Sequence, residues 1–200
     1  MAGIDRGSVF RMYSQKEVGF PQPNPGDYGY REATFDVSLM CRTCWLGARQ
    51  VRPFRMNREP KFHGYDAFRM HWVGDELFVS SRFIEFVLEP LGIQSMEVLN
   101  SSGKCTLLSV RQMVISEFVA LGESDFREGE ACADCGRTKL LPTPVDQPVK
   151  VLNSMSGHVA RSRSYFGEGF STFNLNFVSS EFRHLVLEAS MRGVGFAATT

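Results

Sequence analysis

The chain has 200 residues, enough for one domain or for two small ones sharing a core. Formal net charge is zero with 22% charged residues, which argues against a general binder of nucleic acid or anionic membrane. Hydrophobic content of 43% and 17 phenylalanines supply core material, and no apolar run approaches the ~20 residues that span a bilayer. The N-terminal MAGIDRGSVF lacks a signal-peptide pattern, so a cytoplasmic protein is expected.

In chain order, SVFRMYS from Ser8 predicts a short strand. GFPQPNPGDYGY follows, and its density of Pro and Gly forbids regular structure. ATFDVSL predicts a strand leading into Cys41-Arg-Thr-Cys44. From Arg42 to Lys61 the chain carries six basic residues against one acid, Glu59, interleaved with Trp45 and Phe54. FHGYDAFRMHW reads as an irregular connection or partial strand, with His63 and His71 expected to pack.

GDELFV predicts a turn and a short buried strand, ending in FVSSRFIEFVLEPLGI from Phe78. Ser80 or Ser81 caps a helix there, with Phe83, Phe86 and Val87 on one face. Pro90 and Gly92 close it, and SMEVL is a strand. CTLLSVRQMVISEFV predicts one or two strands, with Cys105 a buried apolar residue and not a fifth ligand. An acidic segment holds Cys132-Ala-Asp-Cys135-Gly136, LPTPVDQP is a linker by composition, and VKVLNSM and HVARSRSYF are candidate strands. GEGFS at Gly167 is a faint phosphate-loop pattern. The chain closes on FVSSEFRHLVLEASMRGV from Phe177, with His184 on the outer face of its helix.

The two FVSS segments agree at eight of their first twelve positions, and the shared residues are apolar ones plus a cap. That is what a packing unit needs, so the repeat predicts two related strand-helix-strand units, not two active sites. The expected fold is α+β, with mixed sheets, few helices and a zinc-ribbon-like pair of knuckles. It is either a single domain over 1–200, or two similar halves, 1–104 and 105–200, joined by a shared zinc site.

Cys41, Cys44, Cys132 and Cys135 are the candidate metal ligands. Each C-x-x-C turn brings two sulfurs to one ion, so two turns close a Cys₄ shell around structural zinc. A redox dithiol needs a thioredoxin-like setting, which neither pair shows. The basic tail of the first knuckle and the acids around the second (Glu123, Asp125, Glu128, Glu130, Asp134) are expected to be drawn together or to remain two solvated faces.

The two C-x-x-C pairs, the second followed by Gly136, and the closing unit from Phe177 to Phe196 resemble the double-CXXCG motif family of bacterial immunity proteins. At the first knuckle Trp45 stands where that family has glycine. The resemblance implies zinc held by the four cysteines, a cognate protein toxin as partner, and no catalytic residues. The toxin-binding surface and oligomeric state are not given by it. The competing reading is a zinc-ribbon nucleic-acid-binding protein using residues 42–61. A weaker third is a small enzyme pairing a histidine with the metal.

Overall fold

Both FVSS junctions build the same serine-capped helix start. In the computed structural model, which describes residues 8–18, 29–71, 73–122, 126–145 and 147–200, Ser80 and Ser179 are the two N-caps. Their backbones are extended (φ −75°, ψ 164° and φ −71°, ψ 161°). Each hydroxyl accepts from the N–H three residues on, at Phe83 and Phe182, over 3.2 Å. The cap satisfies a donor that the first helical turn leaves without a partner.

Among the described residues there are thirteen strands and few helical turns. In chain order they are β1 (Val9–Ser14), β2 (Glu17–Val18), α1 (Gly29–Thr34), β3 (Phe35–Asp36), β4 (Arg49–Gln50), β5 (Arg55–Met56), β6 (Ala67–Met70) and β7 (Val73–Val79). Then come α2 (Ser81–Phe83), widening into a π-helix over Ile84–Leu88, β8 (Ser95–Asn100), β9 (Thr106–Met113) and β10 (Glu117–Val119). The rest are β11 (Val159–Ser162), β12 (Asn176–Ser179), α3 (Ser180–Glu188) and β13 (Val194–Ala198).

A five-stranded sheet runs β10-β11-β12-β1-β13, and a six-stranded sheet runs β2-β6-β7-β9-β8-β5; β3 and β4 form a separate pair. The two large sheets have one design. In each, the strand entering the capped helix (β12 or β7) and the strand leaving it (β13 or β8) flank a middle strand antiparallel to both. In each, a short edge strand runs parallel to its neighbour, β10 on β11 and β2 on β6. Even the far edge corresponds: β5 runs parallel to β8, and Val149 makes a parallel bridge to Thr199.

The middle strands are exchanged. β1, from the first half of the chain, lies in the sheet built by the second half, and β9 lies in the sheet built by the first. The protein is thus a tandem pair of strand-helix-strand units, interlocked by trading one strand each.

Three apolar clusters follow from the strand alternation. Val79 and Val178 point into a central cluster together with Met12, Met113, Phe83, Phe182, Val87 and Val186, matched residues from both units. The rings of Phe83 and Phe182 meet at 6.1 Å between centroids. Phe78 and Phe177 point the other way, into separate clusters, one with Phe54 and Phe68 and the other with Phe126 and Phe166. Each fully buried Phe is worth roughly 1.5–3 kcal/mol of transfer free energy. The repeated residues are therefore those that form the contact between the units and anchor each one's outer cluster.

Several expectations are corrected. Phe86 is 48% exposed, because the first helix is π-helical: Glu89 donates to Ile84 O and the turn holds an extra residue. The wider turn puts Leu88 beside Phe83 and Val87 on the buried face. Of ATFDVSL, Ala33 and Thr34 end a helix and only Phe35–Asp36 is strand. Gly74 and Asp75 form no turn but lie within β7. VKVLNSM contributes only isolated bridges at Val149 and Val151. Within LPTPVDQP, Thr143 and Pro144 are tied to β1, since Arg11 donates to Thr143 Oγ1 (3.3 Å) and Pro144 O (3.1 Å). GFPQPNPGDYGY lies outside the described residues except for its last two, which open α1. No helix among the described residues is long and apolar enough to cross a membrane.

Candidate metal centre

Both C-x-x-C segments fold into one turn. Cys41 N–H donates to Leu46 O (2.9 Å) and Trp45 N–H to Cys41 O (2.8 Å). In the second, Cys132 N–H donates to Arg137 O (3.0 Å) and Gly136 N–H to Cys132 O (2.8 Å). The residue after the second cysteine is left-handed in both, φ 65° at Trp45 and φ 68° at Gly136. Glycine takes that conformation freely, whereas a side chain takes it at a cost of about 1 kcal/mol. Trp45 thus replaces the glycine without altering the turn.

The two turns face each other across the two halves. Cys41 Sγ lies 3.7 Å from Cys132 Sγ and Cys44 Sγ 3.5 Å from Cys135 Sγ, and all four sulfurs fall within 4.8 Å of one another. These separations are far beyond the ~2.05 Å of a disulfide. Four thiolates at about 2.3 Å from a zinc ion are about 3.8 Å apart along each tetrahedral edge. The donor set and its spacing therefore fit a tetrathiolate ion. Thr43 donates to Asp134, and Arg137 donates to Leu46 O over 2.9 Å, each tying one turn to the other.

The surroundings suit gathered negative charge. Arg137 donates from side chain and backbone to Cys135 and pulls that thiol down to about 6. The Cys44 and Thr43 amides hold Cys41 below the usual thiol range, while burial pushes Cys44 up to about 12. Lys139 is buried beside the cluster, and burial lowers its pKa. Its ammonium donates to Cys44 O (3.3 Å), Gly169 O (2.6 Å), Ser171 O (2.7 Å) and Thr172 Oγ1 (3.2 Å). Thr172 Oγ1 in turn donates to Cys44 O at 2.6 Å. The GEGFS segment is therefore no phosphate loop: its carbonyls, not its amides, converge, and they converge on a lysine.

Other expected residues fall elsewhere. Cys105 is exposed in the turn before β9 and stands outside the sulfur cluster. His63 and His71 are exposed, not packed, and His71 meets Glu17. His184 is on the surface of α3, 3.4 Å from Glu188. Of the acids near the second knuckle, Glu123 and Asp125 lie outside the described residues. Among the described residues, no ion pair joins the others to the basic tail. In that tail Arg42, Arg49, Arg52, Arg58 and Lys61 are exposed, while Phe54 is fully buried in the core.

A second cluster escaped the sequence reading. Glu76, only 4% exposed, accepts both guanidinium nitrogens of Arg161 at 2.8 Å and the Gln112 amide at 2.7 Å. Gln112 and Gln50 exchange two hydrogen bonds of 2.8 Å. Asp75 lies 3.6 Å from Arg161 and accepts from the Asn174 amide at 3.2 Å. Burial lifts the Asp75 carboxyl to about 6, with the charge of Glu76 adding to this and Arg161 opposing it. Burial works against the Arg161 charge, and the two carboxylates outweigh it and raise its pKa. The available signal was two consecutive acids, Asp75 and Glu76, inside an otherwise apolar strand. Neither a protein-family model nor a curated protein matches this chain.

Proposed function

We propose that the protein is a zinc-clamped, non-catalytic scaffold that binds a protein toxin and neutralises it by direct, non-covalent occlusion in the cytoplasm. The observation that carries the clamp is the convergence of four sulfurs, 91 residues apart in chain position, on one tetrahedron-sized space. A Cys₄ shell has no open position for water or substrate, which is the arrangement of a structural zinc site. Reduced thiolates suit a reducing compartment. The toxin half of the reading rests on the resemblance of both knuckles and the closing unit to the immunity family, and the glycine-like turn at Trp45 supports it.

The test is copurification with the protein encoded beside this chain, and survival of cells that express that protein as a toxin. A stable complex and rescue are expected; neither complex nor rescue would end the reading. Nucleic-acid binding through residues 42–61 draws support from the exposed Arg42, Arg49, Arg52, Arg58 and Lys61. Buried Phe54 offers no face to a base. Titration with DNA and RNA at two salt concentrations separates the two, since phosphate contacts give a steep salt dependence.

A further inference from the structure

The duplicated frame supplies an internal control for what folding requires. Aligned on Phe78 and Phe177, Glu76 corresponds to Leu175 and Asp75 to Asn174. The second unit has a buried apolar residue, Leu175, at the Glu76 position, just before β12, and still builds a sheet of the same design. The buried Glu76 and the largely covered Asp75, acids in one copy only, are therefore not demanded by the fold, and a buried ion pair is seldom a gain over an apolar side chain.

These acids line a cavity of about 670 Å³ between the first knuckle segment, β7, β9 and residues 161–174. Its walls include Phe35, Trp45, Phe118, Tyr165 and Phe173. Phe118 and Tyr165 stay 47% and 40% exposed, so aromatic surface lies open there. Glu76 is saturated by Arg161 and Gln112, whereas the Asp75 carboxylate stands 3.6 Å from Arg161 and accepts from backbone N–H groups, that of Asn174 at 3.2 Å and its own. Around Asp75 and Glu76, Arg161 is one guanidinium against two carboxylates. Arg49, the other lining cation, is exposed and acts on the charge of Asp36, its partner in register. Aromatic walls around a carboxylate that its guanidinium neighbour shares with Glu76 attract a cation and disfavour an anion.

We propose that this cavity binds a guanidinium or alkylammonium group, seated against Asp75 between the aromatic walls. The group is carried either by a free small molecule or by a basic side chain of a protein partner. The proposal is independent of the toxin reading. The test is calorimetric titration of the full-length, zinc-loaded protein with agmatine, with an arginine-containing peptide, and with glutamate as the anionic control. Agmatine or the peptide should bind, glutamate should not, and Asp75→Asn and Phe118→Ala should each weaken binding at least tenfold while the far-ultraviolet circular dichroism is unchanged. Binding of both cations points to a free ligand, and binding of the peptide alone to a protein side chain. Binding of neither cation, equal binding of glutamate, or full affinity in folded Asp75→Asn overturns the proposal.

Discussion

At the residue scale, positions that look alike in sequence carry very different demands. Gly136 and Gly193 both have positive φ, 68° and 110°. A Cβ at Gly136 meets nothing within 4 Å, whereas one at Gly193 falls 2.0 Å from the backbone oxygen of Ala67. Gly136→Ala should therefore cost only the left-handed backbone, about 1 kcal/mol. Gly193→Ala forces the turn before β13 away from β6 and should cost more than about 4 kcal/mol, read from urea midpoints. Asp75 gives a pH-dependent test. Its folded carboxyl titrates near 6, above the unfolded value of about 3.9. The folded chain thus holds that proton more tightly, and the stability it contributes is full below about pH 4 and lost as the pH rises through 6. Asp75→Asn should raise stability by on the order of 2 kcal/mol at pH 7.5 and change it little at pH 4. A loss of stability at pH 7.5 would contradict the assignment of burial as the main cause. The expected gain in Asp75→Asn would fit a binding role for the acid.

At the element scale, the two capped junctions make one prediction twice. Ser80→Ala and Ser179→Ala remove equivalent bonds of 3.2 Å and should each cost about 1 kcal/mol. Unequal losses, measured by chemical denaturation, would show that the units are not equivalent in energy. Around the caps the side chains have diverged in a correlated way. Asp66 meets Arg82 at 3.2 Å in the first unit, while in the second His158 lies 3.8 Å from Glu181. The acid has changed sides, and the backbone link persists: Ser80 N–H donates to Asp66 O and Ser179 N–H to His158 O. Much of this was legible in the sequence. Cap serines, the strands on either side and the cysteine turns are set by local chemistry that a short window contains. The π-helical turn was not, because a 3.6-residue period places Phe86 inward, whereas the wider turn leaves Phe86 exposed and buries Leu88. Cys105 sits before a Val- and Leu-rich run that suggests burial, but it belongs to the turn and not to the strand.

At the scale of the whole molecule, the exchange of β1 and β9 is the feature that no local pattern announces. Ladder hydrogen bonds are made by backbone groups that every residue but proline carries, so the sequences of the middle strands do not say which sheet each joins. The cavity was hidden for the same reason, since Asp75 and Arg161 are 86 positions apart in number and meet only when both sheets are formed. The cysteines were readable because each C-x-x-C turn is a local pattern, and two such turns supply the four sulfurs of one candidate metal site. The exchanged strands and the sulfur cluster then act together. The first interlocks the units at their shared core, and an ion held by the second would staple the segments inserted between β2 and β6 and between β10 and β11. The most direct test of that staple combines metal analysis with thiol counting on the native protein. The account predicts one zinc per chain and a single fast-reacting thiol, the exposed Cys105, with all five cysteines reacting once a chelator has removed the ion. Metal-free protein with five thiols reactive from the start would contradict it.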